Sequence, residues 1–196
     1  MHVEPKVDLC FHVSGRNVPV DHGFGLYGAV SRVIPGIHED DATGIKLLRG
    51  RYIGEGLLDI SPVTELILRL PVSSIPSYLN LAGKALDVLG CSLRIGVPRT
   101  RSLIPSVVLY AQLVTTRNGQ DQDRFEEEIK KQLQHIGVNG KFTTGKRRTF
   151  QIHGKQVVGY SLLLDELTAE ESITVQERGL GGRRKMGCGF FETWRQ

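Results

Sequence analysis

Apolar and polar positions alternate over residues 7–13. Val7, Leu9, Phe11 and Val13 fall on one side, and Asp8, Cys10 and His12 on the other. A period of two predicts a half-buried strand. Beyond Asp21 the period lengthens. Leu26, Ala29, Val30 and Val33 share one helical face, and Pro35-Gly36 ends it. Residues 45–48, 57–60 and 64–70 read as short strands. Ser73 or Ser74 precedes a short helix with Pro76 in its first turn and Leu79 and Ala82 on its face. Residues 85–89 and 92–96 predict a hairpin about Gly90, with a longer helix through Leu86 as the competing reading.

Pro98 to Pro105 marks a seam, after which the plan repeats. Residues 107–114 are almost continuously apolar, as in a strand buried on both faces. Residues 121–136 carry the clearest helical stripe: Phe125, Ile129, Leu133 and Ile136. Glu126/Lys130 and Glu127/Lys131 make favourable i,i+4 pairs on its exposed side. Gly137 supplies a C-terminal cap. Residues 147–153 and 156–164 predict a hairpin about Gly154-Lys155. Thr168 and Glu171 form a capping box that opens another helix. A glycine-rich loop and a last strand over 190–194 close the pattern. Each half thus runs β-α-β-β-α-β. The predicted fold class is α+β, with two tandem ferredoxin-like (RRM-like) domains and a C-terminal glycine-rich loop. The N-terminal domain is expected over 1–104 and the C-terminal domain over 105–196.

Composition narrows the classes. Of 196 residues, 40% are hydrophobic and 23% charged, which is globular and excludes wholesale disorder. Lys and Arg exceed Asp and Glu by 25 to 21, so a basic surface must be local if it matters. Cys10, Cys91 and Cys188 are an odd, scattered set with neither a disulfide framework nor paired-thiol zinc spacing. No apolar run approaches the ~20 residues that span a bilayer. The expectation is a cytoplasmic protein with no membrane association, no metal and no cofactor.

Four features carry candidate chemistry. In the segment from Gly179 to Gly189, glycines bracket Arg183-Arg184-Lys185. Glycines Gly181, Gly182 and Gly187 would let backbone N–H groups approach a phosphate, and the three cations would neutralise it. The loop follows a helix C-terminus, whose dipole has the wrong sign for an anion, so N–H groups and cations must do the holding. The spacing is not that of a Walker loop, because Cys188 and Gly189 stand where Lys and Ser/Thr are required. A second motif, Gly23-Phe24-Gly25-Leu26-Tyr27-Gly28, matches G-x-G-x-x-G. It lacks the preceding strand and the serial βαβ units of a dinucleotide fold, and is read as a decoy.

The third feature is a set of proton-transfer groups around the first helix. His22 precedes it, where the positive end of the dipole favours a neutral imidazole while Asp21 opposes this. His38 follows the helix terminator, beside Glu39, Asp40 and Asp41, which favour its charged form. Two histidines tuned apart make an acid–base pair, with Tyr27 between them as a hydrogen-bond donor. The bland alternative is a pair of exposed loop histidines. The fourth feature is a basic hairpin with Arg147, Arg148 and Lys155, suited either to an RNA backbone or to protecting a sheet edge.

The chain resembles the repeat-processing endoribonucleases among the RAMP superfamily of CRISPR-associated proteins, specifically the type I MYXAN subtype. The resemblance rests on Val20-Asp21-His22-Gly23 with Leu26-Tyr27, Arg69-Leu70-Pro71, Leu81-Ala82-Gly83-Lys84, Arg94-Ile95-Gly96-Val97-Pro98, Val157-Val158-Gly159-Tyr160, and the run from Gln176 to Gly189. The last stretch is the specific one. The resemblance implies metal-independent cleavage within CRISPR repeats by 2′-OH attack, leaving a 2′,3′-cyclic phosphate and a 5′-OH. It implies catalytic residues on or near the first helix, to which His22, Tyr27 and His38 correspond. Expected partners are repeat RNA, as stem-loop or single strand, and other CRISPR effector subunits, with the protein a monomer or homodimer. A non-catalytic subunit that holds guide RNA is the alternative function. A small-ligand regulatory domain is a third, with no evident need for Arg183-Arg184-Lys185.

Overall fold

The computed structural model describes residues 4–194, which divide between Ser102 and Leu103 into two compact units. Both mix α and β with antiparallel pairing throughout.

In the first unit the elements run β1 (Lys6–Ser14), β2 (Asn17–Pro19), α1 (Gly23–Val33), β3 (Gly44–Ile45), β4 (Arg51–Gly54), β5 (Leu57–Asp59), β6 (Glu65–Pro71), α2 (Ile75–Tyr78), β7 (Ala85–Val88) and β8 (Cys91–Ser102). The main sheet has the order β3-β6-β1-β8-β7, and β2-β5-β4 form a small second sheet. Alternation along β1 buries Leu9, Phe11 and Val13 against Leu26, Ala29 and Val30 of α1 and Leu66, Leu68 and Leu70 of β6. The opposite face carries a buried ion pair: the Arg69 guanidinium donates to both oxygens of Asp8, at 2.8 and 3.2 Å. The hairpin reading at Gly90 holds, with Leu89 and Gly90 both at positive φ between β7 and β8. The primed turn this makes suits the right-handed twist of two strands.

The division between Ser102 and Leu103 falls inside the seam, but the strand expected over 92–96 is longer: β8 runs through Pro98 to Ser102. Proline has no N–H to give a ladder, but a register shift lies at this point, between Phe11 and Val13 of the partner strand. A bulge is where a strand tolerates proline.

The second unit runs β9 (Leu109–Val114), α3 (Gln122–His135), β10 (Lys141–Ile152), β11 (Lys155–Asp165), α4 (Ala169–Arg178) and β12 (Glu192–Thr193), with sheet order β10-β11-β9-β12. Phe125, Ile129 and Leu133 of α3 are buried against β9 and β11 residues including Tyr160, Leu162 and Leu164. Each such side chain contributes about 1.5–3 kcal/mol by leaving water. Asp121 caps α3 by accepting from the Arg124 N–H, and the Thr168/Glu171 capping box opens α4. Beta10 begins six residues earlier than the alternation predicts. Gly145 and a register shift between Thr144 and Arg147 break the pattern, because a Cβ at 145 would stand 2.4 Å from Ser161 Oγ. The last strand is shorter than expected, two residues paired with β9. Among the described residues, no helix is long and apolar enough to cross a membrane.

Candidate functional site

The N-terminal end of α1 is formed by His22. Its ring is 1% exposed, and both nitrogens meet the backbone. Nε2 accepts from the Leu48 N–H at 2.9 Å, so the ring proton is on Nδ1, which donates to the Pro19 carbonyl at 2.7 Å. Burial lowers its pKa, opposed in part by the bonds to the Pro19 and Val20 backbone. Burial and the acceptor role of Nε2 both favour the neutral ring, the outcome for which the helix dipole and Asp21 pull in opposite directions. The ring cannot accept another proton without releasing Leu48, so the geometry is that of an anchor.

Further along, Tyr27 is half-buried on α1, while His38 is exposed at the end of a 3₁₀ turn, Pro35–His38. The turn exists because Pro35 and Gly36 end α1 while Ile37, fully buried, returns the chain to the core. Tyr27 Oη and His38 Nδ1 are 2.6 Å apart, and the rings meet edge to face with centroids separated by 5.5 Å. The structure thus joins two of the three expected groups and leaves His22 apart. Asp40, expected to act on His38 as a neighbouring charge, is engaged by donors. It accepts from the backbone N–H groups of Ala42 and Thr43, from Thr43 Oγ1, and from Tyr78 Oη. Burial pushes its carboxyl up, but these bonds outweigh it and hold the pKa below the usual carboxylate range.

The G-x-G-x-x-G motif lies within α1. Gly25 admits the Leu89 side chain, to which a Cβ would approach within 2.6 Å. Its glycine serves helix–hairpin packing, as the decoy reading implies.

The glycine-rich segment, 179–189, forms a loop laid along β9. Gly182 N–H donates to the Thr115 carbonyl at 2.9 Å and Gly189 N–H to the Leu113 carbonyl at 2.7 Å. Gly181 N–H donates to Gln132 Oε1 of α3 at 2.7 Å. Gly187 and Cys188 donate to the carbonyls of Arg184 and Arg183, both at 3.3 Å. This corrects one expectation. The N–H groups of Gly181, Gly182 and Gly187 are turned to the fold itself and not outward to a ligand. Close approach requires glycine at 181 and 189: a Cβ would lie 2.3 Å from the Thr115 carbonyl oxygen at Gly181, with φ +75°, and 2.1 Å from the Leu180 carbonyl oxygen at Gly189. Arg183 is exposed in a left-handed conformation at the start of a short 3₁₀ turn, Arg184–Met186. Arg184 is half-buried, and its Nη1 donates to the Arg178 carbonyl at 2.6 Å. Gln132 was not foreseen; a half-buried glutamine on α3 gives no sequence signal for what it touches.

The basic hairpin divides by strand alternation. Arg147 stands opposite Tyr160, whose ring packs on Phe125, and its guanidinium reaches Gln120 Oε1 at 3.2 Å. Arg148 stands opposite Gly159 on the other face, the one on which Phe150 packs with Leu113 and Cys188. Lys155 is exposed at the turn, paired with Ile152. Arg148 and Lys155 therefore share a sheet face with Cys188 of the glycine-rich loop, and Arg147 does not.

Comparison with known proteins bears on what these groups do. A family model described as Cas6 Crispr matches residues 7–196. A CRISPR-associated endonuclease Cas6 from Myxococcus xanthus is 40% identical over 192 residues, covering 94% of this chain and 80% of its own length. The chain belongs to the Cas6 family. Solved Cas6 and RAMP structures share the fold. A CRISPR associated protein Cas6 superposes with a TM-score of 0.66 at 13% identity, over 98% of this chain and all of the other. An RAMP protein described as binding different RNA substrates gives 0.66 at 12% identity, covering 97% and 99%. In this chain Tyr27 and His38 join a hydroxyl to an imidazole.

Proposed function

We propose that this chain processes CRISPR precursor RNA as a metal-independent endoribonuclease, cutting within the repeat by attack of a ribose 2′-OH on the adjacent phosphate. The observation that carries the reading is the Tyr27–His38 pair, 2.6 Å from oxygen to nitrogen, at an exposed turn of a Cas6-family chain. The fold reading behind it is two ferredoxin-like units. It is supported by the recurrence of one strand order: β3-β6-β1-β8 in the first sheet and β10-β11-β9-β12 in the second.

The nucleophile and the electrophile are joined in the substrate, so positioning supplies much of the rate. With Tyr27 donating to Nδ1, the remaining imidazole proton of His38 is on Nε2. His38 gives that proton to the departing 5′-oxygen. Tyr27 passes its own to Nδ1 and takes the proton of the attacking 2′-OH. One proton leaves the 2′-oxygen, one reaches the 5′-oxygen, and the products are a 2′,3′-cyclic phosphate and a 5′-OH. Each proton transfer contributes about 10²–10⁴-fold. His22 is assigned to anchoring α1 through Pro19 and Leu48 rather than to the chemistry.

Binding is assigned to the second unit. Arg183, Arg184 and Lys185 meet backbone phosphates, with Arg148 and Lys155 adding charge on the hairpin. Gly181, Gly182 and Gly187 shape the loop that presents them. The test is a repeat RNA incubated with wild type and with His38→Ala. Cleavage should fall at least ~10²-fold in the variant with little change in RNA affinity. Wild-type protein that retains the RNA intact would instead mark a guide-RNA-holding subunit. Normal cleavage by His38→Ala would remove the site assignment.

A further inference from the structure

His38 is exposed, on a single turn, and its reach toward Tyr27 depends on what fixes the chain after it. Two residues further, the Asp40 carboxylate gathers four donors: the N–H groups of Ala42 at 2.9 Å and Thr43 at 3.0 Å on Oδ1, and the hydroxyls of Thr43 and Tyr78, both at 2.6 Å, on Oδ2. Three of these close a tight turn. The fourth ties that turn to α2. The ties are rooted in the core, since Thr43 is fully buried and Tyr78 only 2% exposed. Lys6 Nζ adds a bond from the start of β1 to the Ala42 carbonyl at 2.5 Å. On the other side of His38, Ile37 is fully buried. The histidine is thus carried on a short span held at both ends.

We propose that Asp40 and Tyr78 form a clamp that sets the position and tautomer of His38 against Tyr27, which makes both positioning residues for RNA cleavage. This rests on the assignment of His38 to the chemistry. Asp40 is not itself a proton carrier. A carboxylate that accepts four hydrogen bonds is held ionised, and the bonds direct it into the fold. Its function is to stop the span from shifting. Displacement of a reacting group by about 1 Å costs on the order of 10²-fold in rate.

Tyr78→Phe removes one oxygen and keeps the ring in its pocket. Single-turnover cleavage of a repeat RNA should slow by about tenfold or more, with RNA affinity and thermal midpoint close to wild type. Long-range ¹H–¹⁵N spectra of the His38 ring should change from one tautomer to a mixture. In a His38→Ala background, Tyr78→Phe should cost nothing further, because the clamp acts only through that imidazole. If Tyr78→Phe lowers the thermal midpoint, Thr43→Val, which removes another donor to Oδ2, takes its place in the same assays. A Tyr78→Phe variant that cleaves at the wild-type rate, or a loss that multiplies with that of His38→Ala, overturns the clamp and leaves the site reading intact. Normal cleavage by His38→Ala alone overturns the site reading itself.

Discussion

Acid should destabilise the first unit at His22. The folded ring is neutral and its pKa is lowered, chiefly by burial. The unfolded chain therefore binds a proton that the folded chain refuses. The stabilisation is complete above the ordinary histidine pKa of about 6.5 and declines as the pH falls below it. Urea midpoints measured between about pH 7.5 and 5 should fall on acidification, and His22→Gln should flatten that slope. Gln offers an acceptor and a donor in place of the two ring nitrogens. An unchanged slope would show that His22 does not carry the effect. A second residue-scale contrast separates two adjacent glycines. Gly181→Ala drives a Cβ to 2.3 Å from the Thr115 oxygen at a φ of +75°, whereas a Cβ at Gly182 meets nothing within 4 Å. The first substitution should distort the loop and weaken RNA retention in a filter-binding assay; the second should be near neutral. Sequence alone could place His22 at a helix start, but not its saturation. That depends on Leu48, 26 residues away.

At the scale of the element, the glycine-rich loop acts as a scaffold for three cations. Replacing Arg183, Arg184 and Lys185 together with Gln should weaken RNA binding and flatten its salt dependence. About 0.7 of logarithmic slope is lost for each single-strand phosphate contact removed, so the expected loss is near 2 if all three engage phosphate. An unchanged slope in a salt titration would place the phosphate contacts elsewhere. The elements most legible beforehand were those whose local chemistry agrees with their packing. Alpha3 shows Phe125, Ile129 and Leu133 on one face and Asp121 as its cap; α4 shows its capping box. What stayed hidden was long-range. Beta8 continues past Pro98 because its partner strand shifts register there, and β10 passes Gly145 because Ser161 stands against it. In the small sheet, β2 pairs with β5 about 40 residues away, as Asn17 does with Asp59, and the short strands carry little periodicity. Within the site, the residue types of Tyr27 and His38 were visible, but their contact depends on a turn that Ile37 and Asp40 hold in place.

Across the whole molecule, two α+β units supply different groups. The first unit turns a helix end and a short turn into a hydroxyl–imidazole pair, and the second turns a loop along β9 into a cluster of exposed and half-buried cations. The two units keep separate cores, each enclosed by its own helices and sheet. The central claim is that proton transfer by Tyr27 and His38, with the RNA's own 2′-OH as nucleophile, is sufficient for cleavage. It is tested most directly by the ends of the products. Repeat RNA incubated with the purified protein in excess EDTA should be cut as in buffer, and mass spectrometry of the upstream fragment should show a 2′,3′-cyclic phosphate. Loss of cutting in EDTA that returns with a divalent cation, or a 3′-OH with a 5′-phosphate on the downstream fragment, would contradict it.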